Sequence, residues 1–219
     1  MIHYAFYDVD ETIIHEKSMF TVLREISKRI PSIRPDEINA GLQKMRSAGD
    51  DRAVVNRQFY RALKGLRQQE VREIAQSYMD GRLSGSEAFL IEPVVSELEA
   101  LRSKGYVPVF VSGSAVDFIL PLARHLAVEH CLATRLSVDA EGRYTGEIAG
   151  HSMIGQGKRT AVLDFLSDHA GDPAACAGFG DHISDLSFLE LVGQPHVVGA
   201  HDAALNDIAS KRGWPTLPH

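Results

Sequence analysis

The chain contains 219 residues, of which 44% are hydrophobic and 24% are charged, and its formal net charge is −6 at pH 7. Such a composition is typical of a soluble globular protein with one domain, or with one domain that carries an insert. The negative charge argues against nucleic-acid binding and against binding to an anionic membrane surface, since both need clustered Lys and Arg. With no signal-peptide pattern at the N-terminus and no apolar window near the roughly 18 residues of a membrane span, we expect a cytoplasmic protein.

The first predicted element is a short buried strand. The segment "HYAFYDVD" is rich in aromatic and branched residues and has no helical period, and it ends with Asp8 and Asp10. Because successive strand residues point to opposite faces, a spacing of two places both acids on one side. A single Asp in this position is often only a helix N-cap. A catalytic role therefore depends on which other side chains reach the same place.

Four amphipathic helices are predicted between about residues 17 and 82. Apolar residues recur there at three- and four-residue steps, as in Phe20, Leu23, Ile26 and Ile30. The segments "RIPSIRP", "SAGDD" and "KGLRQQ" separate the helices with Pro, Gly and polar residues. This pattern indicates a small helical bundle.

Helices and strands alternate from about residue 86. The strands are "YVPVFVSGS", "ACAGFGD" and "PHVVGA", and the helices include "VVSELEALRSKGY", "AVDFILPLARHLA" and "DAALNDIASKRGW". This order predicts an α/β fold, a Rossmann-like parallel sheet with helices on both faces. The segment "LATRLSVDAEGRYTGEIAG" differs, because two alternating stretches flank a turn, and it predicts a β-hairpin that stands off the sheet.

The helical bundle interrupts the first crossover of the predicted sheet. A βαβ connection needs only about a dozen residues plus its helix, so the surplus must form a unit of its own. We therefore predict a catalytic core of residues 1–14 and 84–219, and a helical cap of residues 15–83 inserted after the first strand. Open parallel sheets bind ligands beyond the carboxyl ends of their strands, which places the cap over the site.

Polar side chains follow several of the predicted strands. Ser112 ends the strand "VFVSGS", Lys158 begins the helix in "GQGKRTAVL", and Asp181 and Asp185 follow the strand in "GFGDHISD". Together with the two acids of the first strand, most of these residues are expected at one rim of the sheet. Carboxylates gathered this closely raise one another's pKa unless a cation neutralises them, and a set of oxygen ligands suits Mg²⁺. The sequence therefore predicts a divalent-metal site.

Four short motifs in this order, "DVDET", "VSGS", "GK" and "GDHISD", resemble those of the haloacid dehalogenase superfamily. The segments "GRYTGEI" and "RGWP" resemble the subfamily that includes phosphoserine phosphatase. The resemblance extends over the core, from residue 4 to about 217, and only weakly over the insert. It implies a Mg²⁺-dependent phosphatase that hydrolyses a small phosphorylated metabolite, and it leaves open whether the protein is a monomer or a homodimer.

The resemblance implies roles for the first two motifs. Asp8 matches the nucleophile, which forms an aspartyl-phosphate and also ligates Mg²⁺. Asp10 matches the general acid/base, which protonates the leaving alcohol, later activates water, and gives the metal its backbone carbonyl. Ser112 and Gly113 match the phosphate-binding turn, in which the glycine lets the backbone approach the phosphoryl group.

The resemblance also implies roles for the charged residues of the last two motifs. Lys158 matches the lysine that offsets the charge of the phosphate and of the nucleophile. Asp181 matches a direct metal ligand, and Asp185 matches a second ligand through water or a brace for Lys158. His182 lies where relatives vary, so no role is assigned to it.

The insert is expected to select the substrate. In phosphoserine phosphatases a Glu nine residues past the nucleophile holds the amino group, and a later Arg holds the carboxylate. Counted without gaps, Lys17 and Phe59 take these positions here, and Glu16 or Arg57 would take them after a shift. This departure argues against phosphoserine, and a Lys at the mouth suits a second anionic or hydroxyl-rich group on the substrate.

Three other functions stay open at this stage. One is phosphoserine phosphatase itself. A second is a phosphotransferase or mutase, because the same four motifs and the same aspartyl-phosphate chemistry serve transfer to another acceptor. A third is a phosphoacceptor switch of the response-regulator type, which also uses a strand-end Asp, a Lys and Mg²⁺. Asp10, two residues past Asp8, and the long insert argue against the third.

Overall fold

A seven-stranded sheet forms the centre of the computed structural model, which describes residues 2–219. Its strands are β1 (His3–Tyr7), β2 (Tyr106–Ala115), β3 (His130–Val138), β4 (Tyr144–Ala149), β5 (Ala177–Gly180), β6 (Gln194–Val198) and β7 (Thr216–Leu217). The strand order is β4-β3-β2-β1-β5-β6-β7, and every neighbouring pair is parallel except β3 with β4. The predicted α/β fold with a mostly parallel sheet is confirmed.

Nine α-helices accompany the sheet within residues 2–219. They are α1 (Ser18–Arg29), α2 (Pro35–Ser47), α3 (Arg52–Arg61), α4 (Gln68–Ser84), α5 (Glu92–Ser103), α6 (Val116–His125), α7 (Gln156–Asp168), α8 (Leu186–Leu189) and α9 (Ala203–Arg212). Helices α1 to α4, called the helical segment below, follow β1 directly and precede the rest of the sheet. None of the helices in the described part of the chain has both the length and the apolar content needed to cross a bilayer.

The central strand β1 is buried on both faces of the sheet. Tyr4 and Phe6 pack in one hydrophobic cluster with residues of α7, α8 and α9, while Ala5 and Tyr7 pack in the other with residues of α5 and α6. Strand side chains alternate between faces, so a strand covered on both sides must be apolar throughout. The first acidic residues of the chain, Asp8 and Asp10, therefore lie beyond the end of β1.

The helical segment shares a hydrophobic core with one face of the sheet. Val22, Phe59 and Ile74, from three of its helices, belong to the same buried cluster as Phe110 of β2 and Phe118 of α6. Helix α4 packs on α6, and α3 packs on β4. The segment is thus held over the carboxyl ends of β1 and β2.

The predicted position of the β-hairpin is wrong. The first half of β3 pairs in parallel with β2, from His130 to Thr134, and its second half pairs antiparallel with β4, so the hairpin extends the sheet instead of standing off it. Strand β4 also binds the helical segment, because the backbone of Tyr144 exchanges hydrogen bonds with Gly65 N–H (2.8 Å) and Leu66 C=O (2.9 Å). A nine-residue strand is long enough to serve both partners. The sequence pattern shows alternation but not which strand is the neighbour.

Candidate active site

The chain after β1, the start of α7 and the chain after β5 meet around one buried lysine. Lys158 Nζ lies 2.5 Å from Asp8 Oδ1 and 2.6 Å from Asp185 Oδ1, and all three side chains are buried. Burial alone would lower the pKa of Lys158, but the charges of Asp185 and Asp8 raise it above its usual value, so the ammonium form is retained. The structure thus brings Lys158 into contact with Asp8, which lies 150 positions away in the chain.

Three carboxylates lie close enough to hold one cation. Oxygens of Asp8, Asp181 and Asp185 lie within 4.8 Å of one another, and the three residues are buried. Burial and the charge of Asp185, opposed by Lys158, raise the pKa of Asp8 to about 7. Burial and the charges of Asp8 and Asp185 raise the pKa of Asp181 to about 9. One lysine therefore does not neutralise this cluster, and a divalent cation with oxygen ligands fits it.

Asp10 is held apart from this cluster by two donors. Its Oδ2 accepts a hydrogen bond from Ser114 Oγ (2.6 Å), and its Oδ1 accepts one from the backbone N–H of Ser18 (3.0 Å), the first residue of α1. Burial raises the pKa of Asp10, and the hydrogen bonds from Ser114 and Ser18 oppose that rise. Asp8 and Asp10 nevertheless line the same cavity. The two strand-end acids thus face one space in different environments.

The predicted phosphate-binding turn, residues 112–114, is fixed by hydrogen bonds to its backbone. Ser114 N–H donates to Ser112 Oγ (3.1 Å). The carbonyl of Gly113 accepts hydrogen bonds from Thr134 Oγ1 (2.8 Å), Tyr60 Oη (2.9 Å) and Asn56 Nδ2 (3.2 Å). A Cβ atom at position 113 would lie 2.6 Å from Ile154 Cδ1, so a larger residue there would have to displace the end of the Ile154 side chain.

The cavity at this place encloses about 290 Å³ and lies between the sheet end and the helical segment. Asp8, Asp10, Ser112, Gly113, Lys158, Asp181 and Asp185, all of them predicted from the sequence, line its core side. The structure thus gathers the full predicted set in one cavity, while the role of each residue stays a prediction. The volume is at the small end for ligand pockets, which favours a small ligand.

Sequence reasoning placed Lys17 at the mouth of the site but assigned no role to the other residues of the opposite wall. Lys17, which directly precedes α1, and Arg46, Arg52 and Asn56 of the helical segment face the cavity. The Arg52 guanidinium donates to the ring of His182, with Nη1 2.8 Å from Nδ1. Arg52 and Asn56 are four residues apart, and a search for polar pairs on one helix face would have found them.

Most positions obtained by counting from the phosphoserine phosphatase pattern do not line the cavity. Phe59 is fully buried in the hydrophobic core, Glu16 forms an ion pair with Arg82, and Arg57 is exposed outside the cavity. Of these positions, only Lys17 lines the cavity, where its ammonium lies 2.9 Å from Glu11 Oε2. The groups expected to hold phosphoserine are therefore not found where the spacing put them.

The family model of the haloacid dehalogenase-like hydrolases matches residues 5–190. The chain belongs to this hydrolase family. Among curated proteins, the inhibition of morphological differentiation protein of Streptomyces azureus is 29% identical to this hydrolase over 97% of the chain and 77% of its own length. A probable phosphatase of Mycobacterium tuberculosis is 39% identical, but over 50% of this chain and 37% of its own length.

Solved structures are similar to this hydrolase over nearly its whole length. A protein of unknown function from Bordetella pertussis Tohama I has a TM-score of 0.86 at 21% identity, covering 99% of this chain and 98% of its own. A phospho-aspartyl intermediate analogue of phosphoserine phosphatase has a TM-score of 0.69 at 18% identity, covering 94% and 90%. At such identities the similarity establishes the fold. The predicted family is confirmed, and with it the enzyme class of hydrolase.

Proposed function

We propose that this hydrolase is a Mg²⁺-dependent phosphatase that cleaves a small phosphomonoester through an aspartyl-phosphate on Asp8. The observation that carries the proposal is the contact of Lys158 with Asp8 and Asp185 beside Asp181, in a cavity at the carboxyl end of the sheet. A buried lysine between two acids, with a further acid in reach, suits a reaction that moves a charged group.

Asp8, Asp181 and Asp185 would hold the metal, together with the backbone carbonyl of Asp10. When bound, Mg²⁺ supplies positive charge that offsets the charges of the phosphoryl group and of these carboxylates. The raised pKa values of Asp8 and Asp181 support this assignment, because burial and the neighbouring carboxylates disfavour the ionised forms, which a bound cation would stabilise.

The reaction divides into two displacements at phosphorus. A carboxylate oxygen of Asp8 attacks phosphorus, the bond from phosphorus to the alcohol oxygen breaks, and protonated Asp10 gives its proton to that oxygen. In the second step Asp10 takes a proton from water, whose oxygen attacks phosphorus and releases Asp8 and inorganic phosphate. The Ser114 hydroxyl and the Ser18 amide orient Asp10 for both transfers.

The remaining residues bind the phosphoryl group. The Ser112 hydroxyl and the Gly113 amide donate hydrogen bonds to its oxygens, where charge accumulates in the transition state. Lys158 balances the negative charge of Asp8 as the phosphoryl group approaches.

Residues 15–83 act in this proposal as a cap over a core of residues 1–14 and 84–219. Three contacts support it. Asn56 and Tyr60 of α3 donate to the Gly113 carbonyl, and Arg52 reaches His182 next to Asp181. A cap in this place excludes water from the cavity and adds contacts to the leaving group.

Phosphate release from an aryl phosphate, measured with and without Mg²⁺, tests the proposal. The wild type should release phosphate only with the divalent ion. Asp8→Asn should abolish release, and Asp10→Asn should slow it by about 100-fold or more, the range for loss of a general acid. Mass spectrometry of acid-quenched enzyme should find the phosphoryl group on Asp8.

A competing alcohol separates hydrolysis from phosphoryl transfer, since transfer would yield a new ester. A wild type that is inactive across a broad panel of phosphomonoesters contradicts the proposal.

A further inference from the structure

The wall of the cavity formed by the helical segment carries three cations, Lys17, Arg46 and Arg52. Lys17 is paired with Glu11. Neither Arg46 nor Arg52 forms an ion pair with a carboxylate among residues 2–219. On the core side, Asp8, Asp181 and Asp185 are engaged by Lys158 and by the proposed metal, and the Asp10 carboxylate is engaged by Ser114 and Ser18. The upper part of the cavity therefore has an excess of positive charge.

Arg52 is held close to the place proposed for the phosphoryl group. Its guanidinium contacts the His182 ring, and four residues later Asn56 donates to the Gly113 carbonyl of the phosphate-binding turn. Four helical residues span about 6 Å, and side chains at this spacing lie on one helix face. A group bound by Arg52 would thus lie only a few bonds from the phosphorus atom of a bound substrate.

Arg46 supports the same site from the last turn of α2. Arg46 and Arg52 line the same cavity, and burial and the charge of Arg52 lower the pKa of Arg46. Arg46 also lies over the ring of Phe20, with Cζ 5.9 Å from the centroid. Two neighbouring guanidinium groups without a carboxylate repel each other, and an anion between them would remove that repulsion.

An ammonium group would be disfavoured at the same place. Glu11 is the one acid that lines this part of the cavity within residues 2–219, and it is engaged by Lys17. A substrate that carries both a phosphate and an ammonium group would set its positive charge against Lys17, Arg46 and Arg52. Like charges at such distances are unfavourable even when partly screened by solvent.

We infer that the substrate of this hydrolase carries a second anionic group a few bonds from its phosphate and no ammonium group there, and that Arg46 and Arg52 bind that second anion. The inference rests on the proposed phosphatase function. Guanidinium groups bind carboxylate and phosphate oxygens alike through paired hydrogen bonds. A carboxylate or a second phosphate would therefore satisfy Arg46 and Arg52 in the same way.

A set of small phosphomonoesters of similar size tests the inference. It contains glycerol phosphate, with neutral hydroxyls; 3-phosphoglycerate, with a carboxylate; propanediol bisphosphate, with a second phosphate; phosphoserine, with a carboxylate and an ammonium; and phosphoethanolamine, with an ammonium alone. We expect kcat/KM for at least one of the two purely anionic esters to exceed that for glycerol phosphate at least tenfold. Phosphoserine should be poorer than 3-phosphoglycerate, and phosphoethanolamine should be the poorest. The carboxylate and bisphosphate arms show which anion the site prefers.

Substitution of the arginines tests their part directly. Arg46→Gln and Arg52→Gln should each lower the ratio of kcat/KM for the best anionic ester to that for glycerol phosphate by about tenfold, mainly through KM. The matched control is Arg57→Gln, an exposed residue of α3 that does not line the cavity, which should leave the ratio and the rates unchanged. Far-ultraviolet circular dichroism verifies that all three variants are folded.

The outcomes separate the two proposals. If the wild type hydrolyses the esters but treats neutral or ammonium-bearing ones as well as the anionic ones, the inference is wrong and the phosphatase function stands. The inference is equally overturned if both arginine variants keep the wild-type ratio. If no ester is hydrolysed with Mg²⁺ present, the proposed function fails, and the inference fails with it.

Discussion

The Tyr60 hydroxyl donates a hydrogen bond to the carbonyl oxygen of Gly113 over 2.9 Å, which joins helix α3 to the turn after the apolar part of β2. Tyr60 is fully buried, so water does not compete for this bond. Asn56 of the same helix and Thr134 of β3 donate to the same oxygen. The peptide between Gly113 and Ser114 is therefore oriented partly by the helical segment, and its geometry depends on how α3 is docked.

Tyr60→Phe should lower kcat/KM of the proposed phosphatase by about fivefold to tenfold. The change keeps the ring and removes one buried hydrogen bond worth about 1 kcal/mol, and about 1.4 kcal/mol corresponds to a factor of ten in rate. Steady-state kinetics together with inhibition by inorganic phosphate would measure the effect on phosphate binding. Tyr78→Phe serves as the control, because the Tyr78 hydroxyl binds Glu16, which does not line the cavity. Equal effects of the two substitutions would contradict the role of Tyr60.

Lys158→Met should destabilise the metal-free protein by about 3 kcal/mol, the usual effect of removing one partner from a buried ion pair. Asp8 and Asp185 would then face each other without a counter-charge. Chemical denaturation followed by circular dichroism gives the free energy of unfolding. Lys211→Met removes an exposed lysine from its pair with Asp207 and should change stability little. A similar small change for Lys158→Met would show that the buried pair adds nothing.

Asp117→Ala should destabilise the attachment of the helical segment. The buried carboxylate of Asp117 on α6 accepts hydrogen bonds from Arg72 Nε (2.7 Å), Tyr144 Oη (2.7 Å) and Gln68 Nε2 (3.0 Å), and thereby links α4, α6 and β4. Its loss leaves three donors without an acceptor, so we expect about 3 kcal/mol lower stability and a higher KM.

An exposed acid of α4 offers the matched control for Asp117. Asp80→Ala removes a carboxylate that accepts from Gln76 Nε2 (2.8 Å) at the surface, and it should alter neither the midpoint of thermal unfolding nor KM. If Asp117→Ala lowers stability with KM unchanged, the network supports the fold without positioning the wall of the cavity.

The metal-free protein should lose stability as the pH rises from about 4 to about 9. The folded-state pKa values of Asp8 and Asp181, about 7 and about 9, lie above the values near 4 of an unfolded chain. The folded protein thus holds protons that the unfolded chain has already released, and this stabilising contribution, complete below about pH 4, disappears as each folded-state pKa is passed.

Mg²⁺ should replace those protons. The rise in the midpoint of thermal unfolding on addition of Mg²⁺ should therefore be larger at about pH 8 than at about pH 6. Differential scanning fluorimetry at matched ionic strength would measure it, with KCl as the control salt. Asp181→Asn should reduce the effect of the ion. A shift that is the same at both pH values, or that KCl reproduces, would contradict a metal site at these carboxylates.

The secondary structure and the order of its elements along the chain were predictable from the sequence. The helical period between about residues 17 and 82 agrees with α1 to α4, and the later alternation agrees with β2, β5, β6 and the intervening helices α6 and α7. Asp8, Lys158 and Asp181 follow or precede these elements at places where a parallel sheet brings its carboxyl ends together. These features depend on neighbours a few residues apart and on one topological rule.

Contacts across the cavity were decided only by the tertiary structure. Counting residues put Phe59 at the substrate, yet Phe59 is buried in the core, while Arg52 reaches a histidine 130 positions away and Tyr60 reaches a glycine 53 positions away. A helix turns by about 100° per residue, so a small error in alignment moves a side chain from the cavity to the core. The neighbouring strands of β3 were undetermined for a similar reason. The local pattern predicts which residues are buried, but only the packing of the whole chain determines which element lies against them.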